Sequence, residues 1–142
     1  MKISEHIRYV GVTDHRNILF ENQWTLPYGV AYNSYLIVDE KIALIDTAAA
    51  SFGDDFLDNI RKEIGDRKID FLIINHMEPD HSALISLIRK TYPEITIIGN
   101  ARTLPMIEGY QGITDNVKAV QEGETLTLGE TSVVFKMTPL VH

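Results

Sequence analysis

A chain of 142 residues with 44% hydrophobic and 23% charged side chains has the size and composition of one globular domain, which excludes a disordered or fibrous protein. Thirteen basic against twenty acidic residues give a net charge of -7; this repels nucleic-acid phosphates and anionic lipid, and no local basic patch offsets it. Without cysteine there is no disulfide, thiolate nucleophile or thiolate metal site, so any metal must be held by imidazole and carboxylate. Lys2, Glu5, His6 and Arg8 interrupt the apolar residues of the N-terminus, unlike a signal peptide, and no later run approaches transmembrane length. The expectation is a cytoplasmic protein with neither nucleic acid nor membrane as partner.

Two apolar, partly β-branched runs, 34–38 and 42–46, flank the polar tip Asp39-Glu40-Lys41, which predicts a β-hairpin. Its second strand is apolar on both faces and is expected to be central. Phe56, Leu57, Ile60 and Ile64 recur at helical spacing and predict a helix from about Asp54 to Ile64, with Gly65 as its left-handed C-cap. Phe71-Leu72-Ile73-Ile74 is a short buried strand, followed by a polar motif and then by Leu84, Ile85, Leu87 and Ile88 on one helical stripe. Residues 94–98 give another β-branched strand, Gly99-Asn100 a turn or cap, and 103–110 a short helix with Pro105 in its first turns. Beyond these, 117–120, 125–128 and 132–137 read as a terminal meander with turns at Glu122-Gly123 and Gly129-Glu130. With no repeat, low-complexity tract or linker, the order of elements indicates one mixed α/β sheet with flanking helices.

The chemistry concentrates in His76-Met77-Glu78-Pro79-Asp80-His81. His76, Glu78 and Asp80 stand two residues apart, and an extended backbone sends such residues to one side, with Met77 and Pro79 facing away. Pro79 biases Glu78 toward extended geometry. The motif lies between a strand and a helix, at the carboxyl end where open α/β sheets build their sites, and Asp80 or Ser82 is available to cap that helix. Single histidines and acids at strand ends are most often solvated loop residues or caps. Four ligand-type residues in six positions reverse those odds, and two adjacent carboxylates without a cation cannot easily both stay ionised.

The spacing resembles the metal motif of the metallo-β-lactamase superfamily, His-x-His-x-Asp-His, with Glu78 in place of the second histidine. Residues 75–82, together with 28–37 and 44–47, closely resemble the flavodiiron proteins, or A-type flavoproteins, over essentially the whole chain. The resemblance implies the first half of an αβ/βα sandwich and a non-haem di-iron centre that reduces oxygen or nitric oxide. It further implies that His76, Glu78 and His142 hold one iron, that Asp80 begins the shell of the second, and that His81 lies close to the metal without being reliably a ligand. Asp46 is placed as a supporting residue behind the ligands. A carboxylate in place of an imidazole favours iron over zinc.

Two departures stand out, Ala83 where the family commonly has glycine and Tyr28 where some members carry a histidine near the substrate pocket. Tyr28 is open to two readings, a hydrogen-bond donor to a bound diatomic or a packing residue, the second preferred. His6, His15 and Trp24 have no partners at ligand spacing and are expected on the surface or in packing. The resemblance implies a longer protein with a bridging aspartate, a further histidine and a flavodoxin-like FMN domain, so 1–142 is expected to be a partial domain, inactive alone and with one sheet face largely open. The implied whole is a head-to-tail homodimer receiving electrons from a donor such as rubredoxin or a flavin reductase. The rival readings are a hydrolase acting through a metal-bound hydroxide and a non-catalytic fragment or interaction module.

Overall fold

The computed structural model describes residues 1–16, 19–20 and 24–138. The first half of the chain forms β1 (Ile7–Tyr9), β2 (Val12–Asp14), β3 (Leu19–Phe20), β4 (Trp24–Thr25), β5 (Val30–Tyr32), β6 (Tyr35–Val38) and β7 (Ile42–Ile45), then helix α1 (Gly53–Ile64). The second half forms β8 (Phe71–Ile73), α2 (Pro79–Ser82), α3 (Ile85–Thr91), β9 (Thr96–Gly99), α4 (Thr103–Gln111), β10 (Val117–Ala119), β11 (Thr125–Thr127) and β12 (Ser132–Val134).

Six strands make one mixed sheet in the order β1-β6-β7-β8-β9-β10. β1, β6 and β7 are antiparallel neighbours, and β7, β8, β9 and β10 run parallel. The predicted hairpin is present and β7 lies between β6 and β8, as its two apolar faces require. Alternation along each strand then divides the side chains between two cores. Leu36, Ile42, Leu44, Leu72 and Ile97 face the helix layer and meet Phe56, Leu57, Ile60 and Ile64 of α1, Ile85 and Ile88 of α3, and Ile107 of α4. Ala43, Ile73 and Ile98 face the other way, beneath Val120 and Leu128.

That second face differs from the expected open surface. Its centre is buried, since Leu126, Val133 and Phe135 of the terminal segment pack against it, while Ile37, Ile45 and Phe71 at its margins stay partly buried. The terminal strands are also not one meander. β10 joins the main sheet parallel to β9, and only β11 and β12 pair as a hairpin. The hairpin is tied down at its turn: the Asp39 carboxylate accepts the Thr131 N–H at 2.7 Å and the Thr131 hydroxyl at 2.6 Å, and Lys41 N–H donates to the Leu128 carbonyl at 2.8 Å. Gly129, at φ 144°, passes so close to Asp39 Oδ1 that a Cβ there would clash.

α1 ends at Gly65, whose φ of 59° and ψ of -129° only glycine adopts readily, and its N–H caps the Arg61 carbonyl. Asn100 caps α4, its Oδ1 accepting from the N–H groups of Arg102 and Thr103 at 2.8 and 3.0 Å. The single helix expected after the motif is instead two, α2 and α3, broken at Ala83-Leu84. Among the described residues no helix is long and apolar enough to cross a membrane.

Candidate metal centre

β7 and β8 run side by side and end together, with Ile45 opposite Ile73, so the residues leaving both strands meet at one edge of the sheet. Asp46 follows β7 and extends the ladder by one bond, its N–H donating to the Ile73 carbonyl at 2.9 Å. It then turns out of the sheet with φ 54°, a left-handed conformation tolerated best by glycine, asparagine and aspartate. Its carboxylate accepts the Asn75 N–H at 2.7 Å and the His76 N–H at 3.3 Å, with the Asn75 side-chain amide at 3.4 Å. Asp46 thus grips the backbone on which the motif begins. Burial pushes its carboxyl up, against the pull of the Asn75 and His76 N–H groups.

Glu78 is extended, with φ -64° and ψ 149°, as its position before proline requires. The extended run stops there. Pro79 takes the first helical position of α2, so Asp80 and His81 project from a turn of helix and not from a strand. Convergence therefore comes from the corner between loop and helix. Neither Asp80 nor Ser82 caps α2: Glu78 is the residue at its N-terminus, without a side-chain cap, and the Ser82 hydroxyl donates to the Met77 carbonyl at 2.9 Å. Met77 faces away from the ligands, against the helix-side core.

Despite the different backbone, His76, Glu78 and Asp80 offer one nitrogen and two oxygens that all lie within 4.8 Å of one another. Donors about 2.1 Å from a shared metal ion stand roughly 3 to 4 Å apart, so small side-chain adjustments would bring all three onto one ion. His76 Nε2 lies 3.2 Å from Glu78 Oε2. His81 sets its ring edge-on to His76, with centroids 5.4 Å apart, and its Nε2 is 3.5 Å from Asp80 Oδ2. The other His81 nitrogen, Nδ1, is buried without a hydrogen-bond partner and stands 4.0 Å from Asp46 Oδ2. A nitrogen and two hard carboxylate oxygens, on side chains only partly shielded from solvent, are a donor set that could hold a divalent metal ion.

Tyr28 is 88% exposed and does not pack in the core. His142 lies outside the described residues. His6 is half-buried with Nδ1 3.1 Å from the Val38 carbonyl, His15 is exposed, and Trp24 is 66% exposed, in keeping with surface or packing roles. Asn75, Ser34 and Thr47 were not singled out by sequence reasoning, yet the Asn75 amide donates to the Asp46 carboxylate, the Ser34 hydroxyl lies against the Ile45 and Asp46 carbonyls, and the Thr47 hydroxyl donates to the His81 carbonyl. Their only sequence signal is a polar side chain at the edge of an apolar run.

A mixed sheet with a helix layer, and a His-x-Glu-x-Asp-His motif at the carboxyl end of a parallel strand, define a metallo-β-lactamase-like domain. The family model described as "ODP family beta lactamase" matches residues 30–142, and the chain belongs to that family. It is 36% identical to flavo-diiron protein FprA2 of Clostridium acetobutylicum over all of this chain and 36% of that protein. To the anaerobic nitric oxide reductase flavorubredoxin of Salmonella typhi it is 34% identical, over 99% of this chain and 30% of that one. The structure of rubredoxin oxygen:oxidoreductase from Desulfovibrio gigas superposes with a TM-score of 0.93 at 32% identity, covering 100% of this chain and 36% of the other. The chain spans about a third of the length of the curated relatives it matches.

Proposed function

We propose that the chain is the metal-binding part of a flavodiiron oxidoreductase that reduces oxygen or nitric oxide. The observation that carries this reading is Glu78, which stands where the superfamily usually has a histidine and brings a carboxylate to within 4.8 Å of the His76 and Asp80 donors. In this reading His76, Glu78 and His142 hold one iron, Asp80 begins the shell of the second, and His81 lies beside the metal. Asp46 keeps the motif backbone in place. When bound, the iron pair supplies electrons and open positions to a diatomic substrate. The relatives' names, a nitric oxide reductase and a rubredoxin oxygen:oxidoreductase, support the substrate class and a rubredoxin-type donor; a flavin reductase is the alternative donor.

Among the described residues, the one cluster of three or more ligand-type side chains is His76, Glu78 and Asp80. Because the chain spans about a third of its relatives' length, we assign catalysis to the whole protein, for which the family resemblance implies FMN in a separate flavodoxin-like domain, a head-to-tail homodimer and a cytoplasmic setting, and we expect residues 1–142 alone to be inactive. The test is anaerobic purification of the whole protein, metal analysis, and measurement of NADH-linked oxygen and nitric oxide consumption through a reductase. Iron with consumption of either gas supports the reading. Zinc as sole metal with neither gas consumed overturns it, and zinc-dependent hydrolysis of a thioester or lactam would replace it with the hydrolase.

A further inference from the structure

The break between α2 and α3 has no cause in its own sequence. Ala83 and Leu84 are strong helix formers, and neither glycine nor proline stands between Ser82 and Ile85. Kinks without such residues arise where a side chain inserts into the hydrogen-bond ladder, and the inserted side chain here is Thr47, 34 residues earlier in the chain.

In an uninterrupted helix the Leu84 N–H donates to the Asp80 carbonyl, and the His81 carbonyl accepts from Ile85. Here the Leu84 N–H donates to Thr47 Oγ1 at 3.3 Å. The His81 carbonyl accepts both the Thr47 N–H and the Thr47 hydroxyl, each at 2.7 Å. Thr47 therefore occupies both sides of the gap, its hydroxyl donating once and accepting once. Thr47 is fully buried and Leu84 is 4% exposed, so water is a poor substitute. The delivery of Thr47 is itself fixed, because the Ser34 hydroxyl lies 2.9 and 3.0 Å from the Ile45 and Asp46 carbonyls that precede it.

We propose that Thr47 is a positioning residue for the metal centre: by interrupting the helix after Ser82 it sets the turn that carries Asp80 and His81 against His76 and Glu78. Two successive residues then hold the motif at both ends, Asp46 through the Asn75 and His76 amides and Thr47 through the His81 carbonyl and Leu84 amide. This rests on the metal-binding reading above for its functional meaning. Its structural content stands separately.

The test compares Thr47→Val, which keeps shape and N–H but removes the hydroxyl, with Thr47→Ser, which restores it. In Thr47→Val the buried Leu84 N–H is left to seek the Asp80 carbonyl, which closes the ladder and turns Asp80 and His81 away. Anaerobic Fe(II) and Co(II) titrations of the 142-residue chain are expected to show affinity lowered about tenfold or more in the valine variant, as for loss of an outer support, and largely regained in the serine variant. Amide spectra of the metal-free chain should show changes centred on residues 80–85 that serine reverses. Unchanged affinity and an unchanged Leu84 amide in Thr47→Val overturn the proposal, as does equal loss in both variants that follows their melting temperatures. Should the valine variant not fold, amide exchange in the parent chain decides, since a Leu84 N–H exchanging like an exposed amide is incompatible with the Thr47 bond. Should the parent bind neither ion, the metal-binding reading fails, and the Leu84 amide alone upholds or overturns the positioning role.

Discussion

Replacement of Asp46 separates support of the fold from support of the metal. In Asp46→Ala the Asn75 N–H loses a charged acceptor at 2.7 Å, a bond type worth about 1.5–3 kcal/mol, with the lower end appropriate because Asn75 is exposed. Alanine must also adopt the φ of 54° that aspartate tolerates, adding about 1 kcal/mol. Relief from burying a carboxylate offsets part of this, since burial already pushes that carboxyl up. The expected loss is about 2 kcal/mol in urea unfolding of the metal-free chain. Asp46→Asn keeps an acceptor and tolerates the left-handed backbone, so its metal-free stability should lie within about 1 kcal/mol of the parent. Both variants lose the charge behind His76 and 4.0 Å from His81 Nδ1; Fe(II) affinity should fall about 10-fold for asparagine and about 100-fold for alanine. If the alanine variant matches the parent in both measurements, the hydrogen bonds to Asn75 and His76 carry none of the role assigned to them.

Asp39→Ala should loosen the β11–β12 hairpin at neutral pH, read as faster amide exchange at Leu128 and Thr131. The Thr131 hydroxyl, then its N–H, holds the Asp39 carboxyl well below the usual carboxylate range. A depressed folded-state pKa contributes stability above the unfolded value of about 3.9 and loses it as pH falls through the folded value, so parent and variant should converge in strong acid. Gly65→Ala meets no atom within 4 Å of the new Cβ, so its cost is backbone strain alone, about 1–3 kcal/mol by urea unfolding. Glu78→His removes one negative charge and a hard donor; competition between Zn(II) and Fe(II) should shift toward zinc, and an unchanged preference would remove the argument from Glu78.

The elements that periodicity captured are those whose burial is decided along one segment. Phe56, Leu57, Ile60 and Ile64 bury one helical stripe, and Ile42 to Ile45 is apolar on both sides because it lies mid-sheet. The short strands β1 to β4 escaped notice, being two or three residues long with much of their surface half-buried or exposed, too brief to show alternation. β10 looked like the start of a meander because local pattern cannot tell a strand's partner, and its place beside β9 depends on the α4 crossover.

The ligand motif was legible for a chemical reason: which donor atoms are available depends on residue type, and Glu78 changes the donor set wherever the backbone takes it. How those donors meet depended on contacts made far along the chain. Pro79 did hold Glu78 extended, but it also began a helix, so the alternate-residue geometry that made the motif visible is not the one that brings its side chains together. Helix propensity continues through Ala83 and Leu84. The helix stops because Thr47, delivered by β7 to the same sheet edge, supplies a stronger local claim on the His81 carbonyl and the Leu84 amide. Composition and spacing thus determined which donor atoms the His76–His81 motif offers, while the placement of Asp80 and His81 was decided by hydrogen bonds between residues that only the folded sheet brings together.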